Sequence, residues 1–186
     1  MISAATVCPV CLLGQGSPCP QCRSRLHDAS QRVLASGMLV VAAYLHQGEA
    51  RAMVHRLKYR ADPTVAELLG ASMAAKVPPW AEAVVPVPRA RLRRWRYGVD
   101  PALELAGVIS AQTSLPVVAA LAPPLWWPPH TAGSIAERLG PRFVARCPAP
   151  PGAVLVDDVV TTGATLQAAG AALGGAVGAA VVATMA

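Results

Sequence analysis

The segment Val154-Leu155-Val156-Asp157-Asp158-Val159-Val160-Thr161-Thr162-Gly163-Ala164-Thr165-Leu166 constrains this chain more than any other. A short apolar run without polar alternation is a strand buried on both faces, which belongs in a parallel sheet covered by helices. The run is read as a strand from Ala153 to Asp157 that ends in two carboxylates, and a helix is expected from about Thr165 to Leu173. The unpaired N–H groups and positive dipole end of a helix N-terminus make the loop between them an anion site. Thr161, Thr162 and Thr165 add hydroxyl donors around Ala164, and Gly163 permits close approach or positive φ. Two acids beside a phosphate cradle repel a bare phosphate, so they must serve another purpose, either hydrogen-bonding sugar hydroxyls or holding a cation. A phosphorylated sugar satisfies both halves. An ordinary strand, turn and helix with solvated acids explains the apolar strand but not two acids followed by Thr-Thr-Gly-x-Thr. A Walker A loop is excluded, since no Gly-Lys-Ser/Thr follows, and no GxGxxG stands at a suitable strand end.

Strand and helix signals alternate through the rest of the chain. Strands are expected at Met38 to Leu45, Ala83 to Val87, Pro116 to Ala120, Arg142 to Ala145 and Val177 to Thr184. A helix is expected from about Glu49 to Leu57, and Asp62-Pro63 and Asp100-Pro101 each give an N-cap residue with proline at the first helical position. Those two helices run to about Ala75 and Ala111, and a short helical piece is expected near Ile135 to Leu139. Leu121 to Pro129, with four prolines and Trp126-Trp127, reads as a loop or flap. The pattern argues for an α/β fold, an open, mainly parallel twisted sheet with helices on both faces. Ligands of such sheets bind beyond the carboxyl ends of the strands.

Ahead of this domain, Cys8, Cys11, Cys19 and Cys22 form two Cys-Pro-x-Cys turns seven residues apart. Each turn presents two sulfurs on one side, so the pair can close a tetrahedral site for structural Zn²⁺ with no open coordination position. A dithiol redox pair and unliganded thiols are the competing readings. The chain therefore divides into a four-cysteine zinc knuckle over residues 1–32 and an α/β domain over 33–186. Cys147 stands alone and reads as a bystander.

Apolar residues make up 54% of the 186 positions and charged residues 14%, which excludes disorder over the whole length. No N-terminal stretch joins basic residues to an apolar core and a cleavage site, so the expected location is cytoplasmic. The uncharged stretch from Val159 to Ala186 is long enough to span a bilayer, but its Ala, Gly and Thr content argues against a membrane span. The net charge is +6, with basic residues concentrated at Arg51, Arg56, Lys58 and Arg60 and at Arg89, Arg91, Arg93, Arg94 and Arg96. Arginine forks suit phosphate contacts, although a high-GC coding bias raises arginine with no functional meaning.

Asp157 to Thr165 resembles the phosphoribosyl pyrophosphate motif of type I phosphoribosyltransferases. The leading CxxC pair, Leu57-Lys58-Tyr59 before a helix, Val85-Pro86-Val87-Pro88 followed by arginines, Tyr97-Gly98-Val99-Asp100 and the closing motif together resemble the ComF (competence protein F) family, over nearly the whole chain. The resemblance implies a type I phosphoribosyltransferase-like fold. It also implies transfer of ribose 5-phosphate from Mg²⁺-bound phosphoribosyl pyrophosphate to a nitrogen nucleophile. Carried onto this chain, Asp157 and Asp158 hold the ribose hydroxyls and Thr161, Thr162, Gly163, Ala164 and Thr165 cradle the 5-phosphate. Lys58 and Tyr59 fall at the pyrophosphate loop, with Lys58, Arg94 and Arg96 as catalytic candidates, the two arginines on a mobile loop. A solvated basic loop is the rival reading of those arginines.

The chain departs from the family pattern in several places. Ala61 stands where a Gly usually follows the Lys-Tyr-x, and Tyr97-Gly98-Val99-Asp100-Pro101 replaces Arg-Gly-aromatic-Asn-Gln. His130-Thr131-Ala132-Gly133 through Glu137-Arg138 matches only loosely the family's Gln-containing, Arg-terminated stretch, and His130 reads as a loop histidine. Thr161 occupies a position where purine-salvage relatives often carry an Asp base, and a hydroxyl cannot do that work at neutral pH. This disfavours hypoxanthine and guanine as acceptors and leaves adenine, orotate, ammonia and others open. A second hypothesis is a non-catalytic module that binds single-stranded DNA or a helicase-like competence partner, since the family is tied to DNA uptake. A third makes Trp126, Trp127 and their prolines an exposed patch for self-association into an oligomer or for a partner.

Overall fold

The computed structural model describes residues 7–13, 16–124 and 142–186. In chain order its elements are α1 (Pro20–Arg23), β1 (Arg32–Val33), β2 (Leu39–Leu45), α2 (Gly48–Arg60), α3 (Pro63–Ala74), β3 (Ala83–Pro86), α4 (Arg91–Tyr97) and α5 (Pro101–Thr113). They continue with β4 (Leu121–Ala122), β5 (Val144–Ala145), β6 (Ala153–Val160), α6 (Ala164–Ala172) and β7 (Ala179–Met185). Five strands form one sheet in the order β1-β2-β7-β6-β3, parallel throughout except for the antiparallel edge strand β1.

Every residue of β7 is buried, as the central place of this run of Ala, Val and Thr requires. Alternate residues of β6 feed two cores. Leu155 joins Val40, Val182, Leu166 and Ala169 on the face covered by α6. Val154 and Val156 join Met53, Leu57, Leu69 and Leu105 of α2, α3 and α5 on the other. The molecule is thus α/β, with a mostly parallel mixed sheet between helices. Among the described residues no helix is long and apolar enough to cross a membrane.

Several boundaries differ from the expectation. β6 runs to Val160, past both acids, because β7 continues beside it: Asp157 pairs with Val182 and Val160 with Met185. α2 extends to Arg60, so Lys58 and Tyr59 lie in its last turn rather than in a loop. The segment carrying Arg94 and Arg96 is the helix α4, built from good helix formers and stopped by Gly98 at φ 69°. Pro116 to Ala120 makes only a single bridge, Val117 to Val84, because the Val118 carbonyl turns to accept from the Ala120 N–H at 2.8 Å. Leu121–Ala122, read as irregular, pairs antiparallel with Val144–Ala145 just before the prolines begin. Trp126-Trp127, His130 and the helical piece at Ile135 to Leu139 lie outside the described residues.

Candidate functional site

Parallel strands gather their carboxyl ends along one edge, and a deep concavity lies there. It is a cavity of about 610 Å³ lined by Lys58 and Tyr59 from α2, Arg89 and Asp100 from the β3–α5 segment, and the run from Asp157 to Leu166. That volume falls within the range of small-molecule sites. The structure therefore brings together Lys58, Tyr59, Asp157, Asp158, Thr161, Thr162, Gly163, Ala164 and Thr165. Arg94 does not line this cavity; it lies in a separate shallow cleft with Arg91, Trp95, Gly98, Pro123 and Arg146. Arg96 lies outside the cavity lining as well, with its guanidinium carbon 5.5 Å from the Tyr97 ring centre.

Successive side chains on a strand face opposite ways, so Asp158 shares the side of Val154 and Val156, toward α2. There the Lys58 Nζ meets the Asp158 Oδ1 at 3.0 Å. Burial opposes the lysine's charge, but the Asp158 carboxylate outweighs it and holds the ammonium above its ordinary pKa. Asp157 Oδ1 accepts the Asp158 N–H at 2.8 Å. Burial, and then the adjacent Asp158 charge, push the Asp157 carboxyl well above the usual carboxylate range. Two adjacent acids, one of them paired with Lys58, leave hydrogen-bonding capacity for hydroxyl groups in the cavity.

The loop after β6 turns at Gly163, φ 84°, where a Cβ would fall 2.6 Å from the Leu34 Cδ2. Thr162 Oγ1 accepts the Ala164 N–H at 3.3 Å, and Arg32 of β1 donates to the Thr161 carbonyl at 2.6 Å. The loop is thereby braced from outside by Arg32 and Leu34, with the first turn of α6 opening behind it.

Sequence reasoning missed His46, Arg89 and Asp100 as cavity residues. His46 follows directly on β2 and Arg89 stands three residues beyond β3. The carboxyl-end rule applied to every strand rather than to β6 alone was the available signal. His46 Nδ1 lies 2.8 Å from the Thr184 Oγ1, and burial, then the Lys58 charge, lower its pKa. Asp100 begins α5 without a side-chain cap bond; its Oδ2 instead accepts the Arg89 N–H at 3.2 Å. Ala61, which ends α2, sits at φ 50° and ψ 41°, the left-handed conformation that favours glycine.

The second cluster is the four cysteines. Their Sγ atoms all lie within 4.8 Å of one another, and Cys8, Cys19 and Cys22 are buried while Cys11 is exposed. A tetrahedron of four thiolates around zinc, with bonds of about 2.3 Å, has edges of roughly 3.8 Å, so the four can hold a metal such as zinc. Val10 and Cys19 donate backbone N–H groups to the Cys8 Sγ at 3.4 and 3.3 Å. Burial raises the Cys8 thiol, but these bonds outweigh it and bring it to about 6. Among the described residues this is the one group of metal-ligating side chains of its kind. Arg56 of α2 fastens the knuckle to the domain: its Nη1 donates to the Pro9 and Val10 carbonyls while the same guanidinium pairs with Asp62.

No protein-family model matches the chain, and no curated protein matches it.

Proposed function

We propose that this protein is a ComF-type, phosphoribosyltransferase-like protein that binds Mg²⁺–phosphoribosyl pyrophosphate and transfers ribose 5-phosphate to a nitrogen acceptor. The observation that carries the reading is the meeting, in one cavity, of Asp157, Asp158 and Lys58 with the Thr161–Thr165 loop at the start of α6. Asp157 and Asp158 hold the 2′ and 3′ hydroxyls, and the loop N–H groups and Thr hydroxyls cradle the 5-phosphate. The C1–O bond breaks with its electron pair leaving on diphosphate, the acceptor nitrogen forms the new bond to C1, and the nitrogen's proton passes to solvent. Positive charge builds on the sugar beside two carboxylates, and negative charge on the diphosphate beside basic groups.

The acids fit Mg²⁺ in one manner. Asp158 is already engaged by Lys58 and Asp157 by the Asp158 N–H, so they do not form an all-protein cage. Mg²⁺ binds with few protein ligands and substrate phosphates, and it supplies charge neutralisation on the diphosphate when bound. The four-cysteine cluster, whose thiols would give up their protons to a bound metal, takes a structural Zn²⁺.

Calorimetric titration of Mg²⁺–phosphoribosyl pyrophosphate into the wild type and the Asp157→Ala, Asp158→Ala double variant tests this. Binding lost in the variant, with its fold intact, supports the site; a folded wild type that does not bind sinks it.

A second reading is favoured by the other cleft. Trp95 is 87% exposed beside Arg91, Arg94 and Arg146, a stacking face among cations. It fits single-stranded DNA handling in a competence setting, with a helicase-like partner. Affinity for an oligonucleotide would then fall steeply with salt and weaken in Trp95→Ala; salt-insensitive binding, or none, removes this reading.

A further inference from the structure

β1, at the far edge of the sheet from β3, sends two side chains to the loop that follows β6. Residues two apart along an extended strand share a face, and Arg32 and Leu34 both meet this loop. The Arg32 Nη2 donates to the Thr161 carbonyl at 2.6 Å, and a Cβ on Gly163 would fall 2.6 Å from the Leu34 Cδ2. Val33 between them is exposed. Arg32 pairs with Val40 of β2, and the Leu34 N–H donates to the Met38 carbonyl at 2.9 Å, so the pair is anchored to the sheet.

The guanidinium has no counter-ion to explain it. Among the described residues the ion pairs are Arg25–Glu49, Arg56–Asp62 and Lys58–Asp158, none of which includes Arg32. Its Nε is buried and makes no hydrogen bond among the described residues. A buried N–H without an acceptor destabilises a fold. What Arg32 contributes is therefore the contact of its Nη2 with the Thr161 carbonyl.

That contact sets the direction of a donor. Thr161 and Thr162 line the cavity and Arg32 does not, so the carbonyl held by Arg32 points out of it. Across a planar trans peptide the C=O and the following N–H point opposite ways, which turns the Thr162 N–H inward. This N–H has no acceptor among the described residues, whereas the Ala164 N–H is already taken by the Thr162 Oγ1. If the peptide flipped, a carbonyl oxygen would face the anion site instead of a donor. We propose that Arg32 is a positioning residue of this site, locking the Thr161–Thr162 peptide so that its N–H meets the 5-phosphate of the ligand. The assignment rests on the sugar-phosphate reading above. Arg32 acts from outside the cavity and leaves the diphosphate end of the ligand untouched.

The test compares wild type, Arg32→Ala and Arg32→Lys by calorimetry with three probes: ribose 5-phosphate, Mg²⁺–phosphoribosyl pyrophosphate and Mg²⁺–pyrophosphate. Losing one oriented hydrogen bond to phosphate is expected to weaken the first two about tenfold in Arg32→Ala, with Mg²⁺–pyrophosphate within about twofold of wild type. Arg32→Lys keeps a charged donor for the Thr161 carbonyl and recovers part of the loss. If Arg32→Ala fails to fold, Arg32→Met, which keeps an apolar stem and loses the donors, carries the same comparison. Unchanged ribose 5-phosphate affinity overturns the assignment and leaves the sugar-phosphate reading standing. An equal loss for all three probes also overturns it, because it marks a residue that supports the fold. A wild type that binds none of the probes overturns the sugar-phosphate reading and the assignment with it.

Discussion

Gly163 is where the loop chemistry depends on backbone freedom. Its φ of 84° costs about 1 to 2 kcal/mol for a residue with a Cβ, and an added methyl must also displace the Leu34 side chain, 2.6 Å away. Gly163→Ala is therefore expected to lower stability by about 1 to 3 kcal/mol in denaturant unfolding. In the Leu34→Ala, Gly163→Ala double variant the packing part of that coupling should disappear while the φ part persists. Strict additivity would show that Leu34 does not confine the loop. Asp157 presents the opposite case, a residue kept at the expense of stability. Its carboxyl is pushed up by burial and by Asp158, so its ionised form disfavours folding. The penalty is absent below the ordinary carboxylate pKa and grows as pH rises toward the raised value. Asp157→Asn keeps an acceptor for the Asp158 N–H, and is expected to stabilise the protein by about 1 kcal/mol at neutral pH. The gain should vanish in urea titrations run below about pH 3, where Asp157 is protonated in both states. A variant less stable at neutral pH would contradict the shift.

At the scale of elements, the start of α3 shows how one acid serves two connections. Asp62 accepts from the Thr64 and Val65 N–H groups at 3.1 and 3.3 Å and pairs with Arg56. Burial opposes its charge, but the bonds from Thr64 and Arg56 outweigh it and lower its pKa. The stabilisation is thus present above the ordinary carboxylate pKa and lost as pH falls through the lowered folded value. Asp62→Ala removes the cap and the counter-ion of a mostly buried guanidinium, so a loss of about 2 kcal/mol is expected at neutral pH, shrinking on acidification. A loss that is independent of pH would assign it to helix propensity instead. Asp62-Pro63 was legible because capping is local chemistry. Asp100-Pro101 marked the helix start equally well, yet the Asp100 side chain turned to the Arg89 backbone, a partner eleven positions away that no local signal reveals. For the same reason the strand order was not written in the sequence: β2 and β6 both pair with β7, and only tertiary packing selects that arrangement. α4 was hidden because it buries none of its residues and so shows no apolar period. Asp157, Asp158 and the Thr-rich loop were readable because one continuous segment carries them, whereas Arg89 and His46 enter the cavity from other strands.

Over the whole molecule, the four-cysteine segment and the cavity at the carboxyl edge of the sheet share the helix α2. Arg56 reaches back to the Pro9 and Val10 carbonyls, and Lys58, two residues on, reaches Asp158. The four-cysteine segment itself buries little beyond its sulfurs and Val10, so without metal it has scant apolar surface to order it, and metal binding would supply that folding energy. Among the described residues, the α/β cores on either side of the sheet draw on residues from Leu34 onward, with Val10, Leu26 and Ala29 of the N-terminal segment packed against them. Removing metal should accordingly melt the knuckle and leave the sheet. We expect metal-loaded protein to release about one equivalent of zinc to a chelator on denaturation. Chelated native protein should show a lower Tm with most far-ultraviolet dichroism retained. Because the Arg56 guanidinium then loses its two carbonyl acceptors at the end of α2 that carries Lys58, sugar-phosphate affinity should weaken on chelation and return when zinc is restored. Affinity indifferent to zinc, in protein shown to bind both, would mean that α2 is held by Asp62 and its own core contacts, and that the knuckle faces another partner.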